Sequence, residues 1–99
     1  MKDYKAYVDQ DLKVLIPQFM DNREEEVEKL KEMLENNNFA EIKSLGHAIK
    51  GTGGGYGFDK ITDLGFAIEE AAKNEAKEEL KDLILELEDY IENVEIIYQ

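Results

Sequence analysis

Apolar residues recur at three- and four-residue spacing along nearly the whole of this 99-residue chain, and no stretch alternates with period two long enough to make a convincing strand. Packed helices are the only regular structure that pattern supports, so the predicted class is all-α. A first long helix carries Phe19, Met20, Val27, Leu30 and Leu34 on one stripe. Pro17 fits its first turn, where no intrahelical N–H is needed. Residues 11–16 then form a separate short turn or helix. Asn36-Asn37-Asn38 ends the first helix, and Asn38 with Glu41 three residues on reads as a cap and capping-box partner opening the second. The second helix runs through Phe39, Ile42, Leu45 and Ile49 and dissolves into glycines 53–55. A third starts near Asp59 and shows Ile61, Leu64, Ile68 and Ala72. Asn74 is the expected cap of a fourth, whose stripe extends from Leu80 through Leu87 and Tyr90 to Val94 and Ile97. Tight connections make successive helices antiparallel neighbours. The expected architecture is therefore an up-down-up-down four-helix bundle with a short N-terminal turn or helix, one domain over residues 1–99, with residues 1–10 as a loose end.

Composition narrows the function classes. An apolar content of 42% is enough for a core without disulfides or a structural metal, and the absence of cysteine removes thiolate zinc sites and cysteine nucleophiles. Cytoplasm is the expected compartment, since no apolar run approaches the roughly 20 residues that span a bilayer and the N-terminus lacks the apolar stretch of a secretory signal. A net charge of −12 opposes binding to a phosphate backbone, so nucleic acid is not an expected partner. Acidic runs such as Glu24-Glu25-Glu26 read as solvated helix faces. A monomer is the default expectation; the last apolar stripe is either wholly core or spares Ile96 and Tyr98 for a contact.

The single histidine carries the chemistry. With about 100° per residue, Ile42, Leu45 and Ile49 cluster on one side of the second helix while His47 lies about 140° from Ile42, facing water. Its neighbours at helical spacing are Lys43, Ser44, Lys50 and Gly51, with Ala40 and Gly54 one turn further. A neutral imidazole is nucleophilic at nitrogen, and its ordinary pKa of about 6.5 leaves much of it neutral near pH 7. An ammonium one turn away balances the charge arriving with a phosphoryl group, the electrostatic help that phosphoryl transfer depends on. Small residues around the ring leave room for a second protein to bring its own active site within bonding distance.

Gly53, Gly54 and Gly55 each cost a helix about 1 kcal/mol relative to alanine. Two readings fit them equally: clearance for a docking partner, or a loop that ends the helix, with Gly57 taking a conformation closed to Tyr56. Nucleotide-binding fingerprints fail. No glycine spacing matches a dinucleotide site, and Lys50-Gly51-Thr52 has the wrong order for a P-loop. One histidine with scattered carboxylates lacks the spacing of a metal site, so no metal and no cofactor is expected.

The string His47-Ala48-Ile49-Lys50-Gly51, followed by Gly57-Phe58 after a small-residue stretch, resembles the signature of histidine-containing phosphotransfer (HPt) domains. An acidic helix before it and Ile68-Glu69-Glu70-Ala71-Ala72 after it extend the likeness through most of the chain. The resemblance implies a four-helix bundle whose histidine carries phosphate between aspartates of receiver domains, or accepts it from a kinase. It makes His47 the phosphorylation site, Lys50 the electrostatic partner and Gly51 the small residue beneath a docking face that also includes Lys43, Ser44 and Gly54. Mg²⁺ is then expected only on the receiver partner. Glu69 matches a position where related domains place a residue that hydrogen-bonds the imidazole; an ordinary solvated helix acid is the competing reading. The triple glycine is richer than the family pattern, and Phe66 falls off the Ile61, Leu64 and Ile68 stripe. Phe66 borders the docking surface or, as large aromatics more often do, is buried against the second helix.

The leading expectation is a phosphorelay intermediate without catalytic machinery of its own. An adaptor that binds receiver domains without passing phosphate shares every feature except a need for His47 and Lys50. The phosphoacceptor domain of a chemotaxis-type kinase would call for a flexible linker after the bundle, and apolar periodicity continues nearly to Gln99.

Overall fold

Helix-forming stripes become helices where the sequence marks them, and the two chain ends become something else. The computed structural model describes residues 3–99. Strand β1 spans Lys5–Val8, a 3-10 turn Gln10–Leu15, α1 Ile16–Glu35 and α2 Phe39–Gly53. A second 3-10 turn, Gly54–Tyr56, leads to α3 at Asp59–Lys73, α4 at Lys77–Asn93 and β2 at Glu95–Tyr98. The four helices form the expected antiparallel bundle around Leu30, Ile42, Ile49, Phe58, Ile61, Ile68, Leu80 and Leu87, all fully buried. Pro17 lies in the first turn of α1, and Asn38 Oδ1 accepts from the Glu41 amide at 3.4 Å.

Two of the three helix–helix connections close with the same hydrogen-bond pattern. After α1, the Asn37 amide donates to Leu34 O and the Asn38 amide to Met33 O, with Asn37 left-handed at φ 55°. After α3, the Glu75 amide donates to Ala72 O and the Ala76 amide to Ala71 O, with Glu75 at φ 52°. This Schellman closure satisfies orphan carbonyls at a helix end. It also corrects the expected role of Asn74, which is the C-cap of α3; α4 starts three residues later, at Lys77, behind Ala76, which makes no side-chain cap.

The strands correct two further expectations. β1 and β2 pair in parallel, Lys5 with Glu95 through Val8 with Tyr98, and tie the N-terminal segment to the end of the chain. Within the segment expected to be loose, Tyr4, Ala6 and Val8 are buried while Lys5 and Tyr7 are exposed. Met1 and Lys2 lie outside the described residues. The stripe expected to carry α4 through Ile97 breaks at Asn93, whose side-chain amide donates to Asp89 O at 2.9 Å, and Val94 turns extended at ψ 130°. Ile96 and Tyr98 consequently pack partly buried against the core.

One buried cation was not foreseen. Arg23 of α1 is 6% exposed, pairs with Glu26, donates to Thr52 Oγ1 at 3.3 Å and lies 4.7 Å from the Phe19 ring centroid. Its partners on α1 and α2 offset the desolvation that an isolated guanidinium would suffer. Among the described residues, no helix is long and apolar enough to cross a membrane.

Candidate functional site

Where α2 crosses α3, side chains give way to backbone. A Cβ on Gly46 would lie 2.9 Å from the Glu69 amide nitrogen, and one on Gly65 would lie 2.9 Å from Gly46 O. Only hydrogen fits at either position, so the helices approach far more closely than helices separated by side chains. This contact sets the site: it brings Glu69 of α3 beside His47 and Lys50 of α2.

His47 points outward with its side chain 67% exposed, as the helical wheel requires. Its Nδ1 lies 3.0 Å from Glu69 Oε2. The other carboxylate oxygen, Glu69 Oε1, is shielded from solvent and faces the Lys50 ammonium at 3.0 Å. One carboxylate thus joins imidazole and ammonium. The hydrogen bond from Lys50 is the main influence holding the Glu69 carboxyl below its ordinary pKa; partial burial opposes it, and the contact with His47 adds to the lowering. A carboxylate held ionised accepts a proton-bearing Nδ1, which fixes the neutral tautomer and leaves Nε2 with its lone pair toward solvent. Glu69 is thus not a freely solvated helix acid, since its carboxylate contacts both His47 and Lys50.

The remaining residues of the expected docking face divide cleanly. Lys43, Ser44, Gly51 and Gly54 are exposed on the His47 side of α2 or just beyond its end. Phe66 is 53% exposed, which overturns burial against α2. The space where its ring would have packed is closed by the backbone contact at neighbouring Gly65, and the ring instead borders the site, its centroid 5.5 Å from the Lys50 ammonium.

The glycine run resolves into different roles. Gly53 is packed: a Cβ there would lie 2.6 Å from Phe58 O and 2.8 Å from the Thr62 amide. Gly55 and Gly51 have nothing within 4 Å of the position a Cβ would take, leaving open surface. Gly57 adopts φ 93° with Tyr7 O 2.4 Å from its hypothetical Cβ, the conformation expected to be closed to Tyr56. Thr62, which the sequence did not single out, donates to Lys50 O at 3.0 Å and accepts from the Gly54 amide at 2.8 Å, fastening the end of α2 to α3. Gly46 and Gly65 were likewise missed as positioning residues. Their signal was available: two glycines inside helices, each at a helical cost of about 1 kcal/mol.

No curated protein and no solved structure matches the chain. The family model of the Hpt domain matches residues 14–96. The Hpt domain is a phosphotransfer module of two-component signalling, a carrier rather than a catalyst, and works with receiver domains and histidine kinases. The matched span contains all four helices and every residue of the His47 site, and leaves out β1; the chain belongs to the Hpt domain family.

Proposed function

We propose that His47 accepts a phosphoryl group on Nε2 and passes it to or from the aspartate of a receiver domain. The observation that carries this reading is the exposed imidazole with Glu69 on Nδ1, which leaves the opposite ring nitrogen as nucleophile. In the forward step, the lone pair of Nε2 attacks phosphorus, an N–P bond forms, and the P–O bond to the receiver's aspartate breaks, returning that carboxylate with its electron pair. The Nδ1 proton stays on the ring. The resulting phosphoimidazole is cationic on the ring, and the nearby Glu69 carboxylate stabilises it. The Lys50 ammonium, within the same cluster, balances the incoming phosphoryl charge. Mg²⁺ belongs to the receiver's acidic site in this scheme, and the small exposed surface of Gly51 and Gly54, flanked by Lys43, Ser44 and Phe66, receives that partner.

The test mixes the protein, and separately His47→Ala, with phosphorylated receiver domains and looks for acid-labile, alkali-stable phosphate on the chain. Uptake by the wild type and none by the variant is the expected result. Binding without uptake would make the chain an adaptor, and uptake by His47→Ala would remove His47 as acceptor.

A further inference from the structure

Across the bundle from His47, α1 and α4 leave a groove between them whose two halves carry opposite charge. Toward the α1 C-terminus the groove opens into a cleft of about 490 Å³ with Leu34, Ile84 and Leu85 on its floor and three lysines, Lys31, Lys77 and Lys81, against one acid, Glu35, on its rim. Further along the same two helices lies a second cleft, about 300 Å³, floored by Val27 and Ile91 and rimmed by Glu24, Glu28, Glu88 and Glu92. The Lys31–Glu88 ion pair bridges the groove between the two halves, each residue lining one of them. Lys81, Glu24 and Glu92 enter no ion pair among the described residues. Leu85, on the apolar floor, is 48% exposed.

We propose that this groove is a dimer interface, occupied by the same groove of a second copy of the chain related by an antiparallel twofold axis near the Lys31–Glu88 bridge. A twofold contact places one surface patch against itself, so it requires that patch to be self-complementary. A groove that is basic at one end and acidic at the other meets that requirement twice over: each copy's lysine rim faces its partner's glutamate rim. Leu85 of each copy, exposed when alone, is covered in the pair.

Charge also selects the occupant. In a chain of 12 cations against 24 acids, three lysines gathered with a single acid around one apolar cleft make a locally basic patch, and it sits directly beside its own counter-charges. A partner helix of one sign would match one half and be repelled by the other. The net −12 of each copy opposes long-range approach, but at physiological salt that repulsion is screened over about 8 Å, while the rim contacts act at shorter range. The exposed apolar floor is small, so association is concentration-dependent. Because α2 and α3 lie on the far side, each protomer's His47 face stays open to its own partner.

Sedimentation velocity over a concentration series tests the proposal. The wild type should move from 11.4 kDa toward twice that mass as concentration rises. Leu85→Glu should remain monomeric throughout. A basic-rim reversal, Lys77→Glu with Lys81→Glu, and an acidic-rim reversal, Glu24→Lys with Glu92→Lys, should each weaken association by about tenfold or more, since the contacts of the two reversed residues turn from attractive to repulsive at both ends of the twofold pair. Mixing the two reversed proteins in equal amounts should restore dimers, because each then presents what the other lacks. All substituted positions are exposed, and circular dichroism verifies that each variant keeps its helices. A wild type that stays at monomer mass at the highest attainable concentration overturns the proposal and leaves the groove to a foreign chain. A dimer indifferent to both reversals, or no recovery on mixing, overturns it as well.

Discussion

Gly65 of α3 and Lys50 of α2 meet backbone to backbone: a Cβ on Gly65 would stand 2.5 Å from the Lys50 amide nitrogen. The separation of the two helices, and with it the reach of Glu69 to both His47 and Lys50, depends on there being no side chain at that point.

Gly65→Ala should therefore destabilise the fold by about 1–3 kcal/mol, the usual range for overpacking a tight interior, despite alanine's better helix propensity. Gly51→Ala is the matched control, since nothing lies within 4 Å of its added methyl. It should be neutral or stabilising by up to about 1 kcal/mol. Urea unfolding of both variants checks the contrast. Equal effects would mean that the crossing tolerates a wider separation.

The four helices were legible because each buries a stripe with a 3.6-residue period, and the position of His47 followed from the same arithmetic. The strands were not. β1 has only four residues, and its exposed Tyr7 is apolar, which blurs the alternation of Tyr4, Ala6 and Val8. β2 begins where Ile96 and Ile97 continue the apolar content of α4, and only pairing between distant chain ends reveals it. The exposure of Phe66 was hidden for a related reason: it follows from the Gly46–Gly65 approach, a relation between two helices that single-helix periodicity does not contain.

Glu75 occupies the left-handed position of the α3–α4 connection at φ 52°, where its counterpart in the α1–α2 connection is Asn37 at φ 55°. Asparagine and glycine tolerate that region, and a long-chain residue is strained there by roughly 1 kcal/mol. Glu75→Gly should raise stability by about 0.5–1 kcal/mol, while Asn37→Gly should change it little. The thermal midpoints of the two variants decide the point, and a destabilised Glu75→Gly would show that Glu75 makes a compensating contact.

Tyr90 is 2% exposed, and burial, aided by the nearby Asp59 charge, pushes its hydroxyl pKa from 10.0 up to about 12. A phenol raised in the folded state favours folding fully below its unfolded value and loses that contribution as pH climbs from about 10 toward 12. Stability should fall across that alkaline window. The slope should be shallower in Tyr90→Phe; Tyr4, whose pKa is also raised, chiefly by burial and then by its hydrogen bond to Asp89, contributes the remainder. Denaturant titrations at a series of alkaline pH values measure the slope, and identical slopes for wild type and variant would refute the assignment to Tyr90.

Glu69 offers the sharpest separation of orientation from charge. Its carboxyl is lowered, so the ionised form is favoured in the folded protein; that contribution is present above the ordinary carboxylate range and is lost as pH falls through the lowered value. The hold on Nδ1 should thus persist into mildly acidic solution. Glu69→Gln can keep an acceptor oxygen on Nδ1–H but loses the ion pair with Lys50, whereas Glu69→Ala loses both. Initial rates of phosphoryl uptake should fall about tenfold in Glu69→Ala, on the scale of other partners that orient a reactive imidazole, with Glu69→Gln intermediate. Nitrogen-15 shifts of the His47 ring should show a single dominant tautomer, protonated at Nδ1, in the wild type and a mixture in Glu69→Ala. If the tautomer is unchanged but the rate falls, Glu69 acts through Lys50 and the phosphoryl charge rather than through the ring.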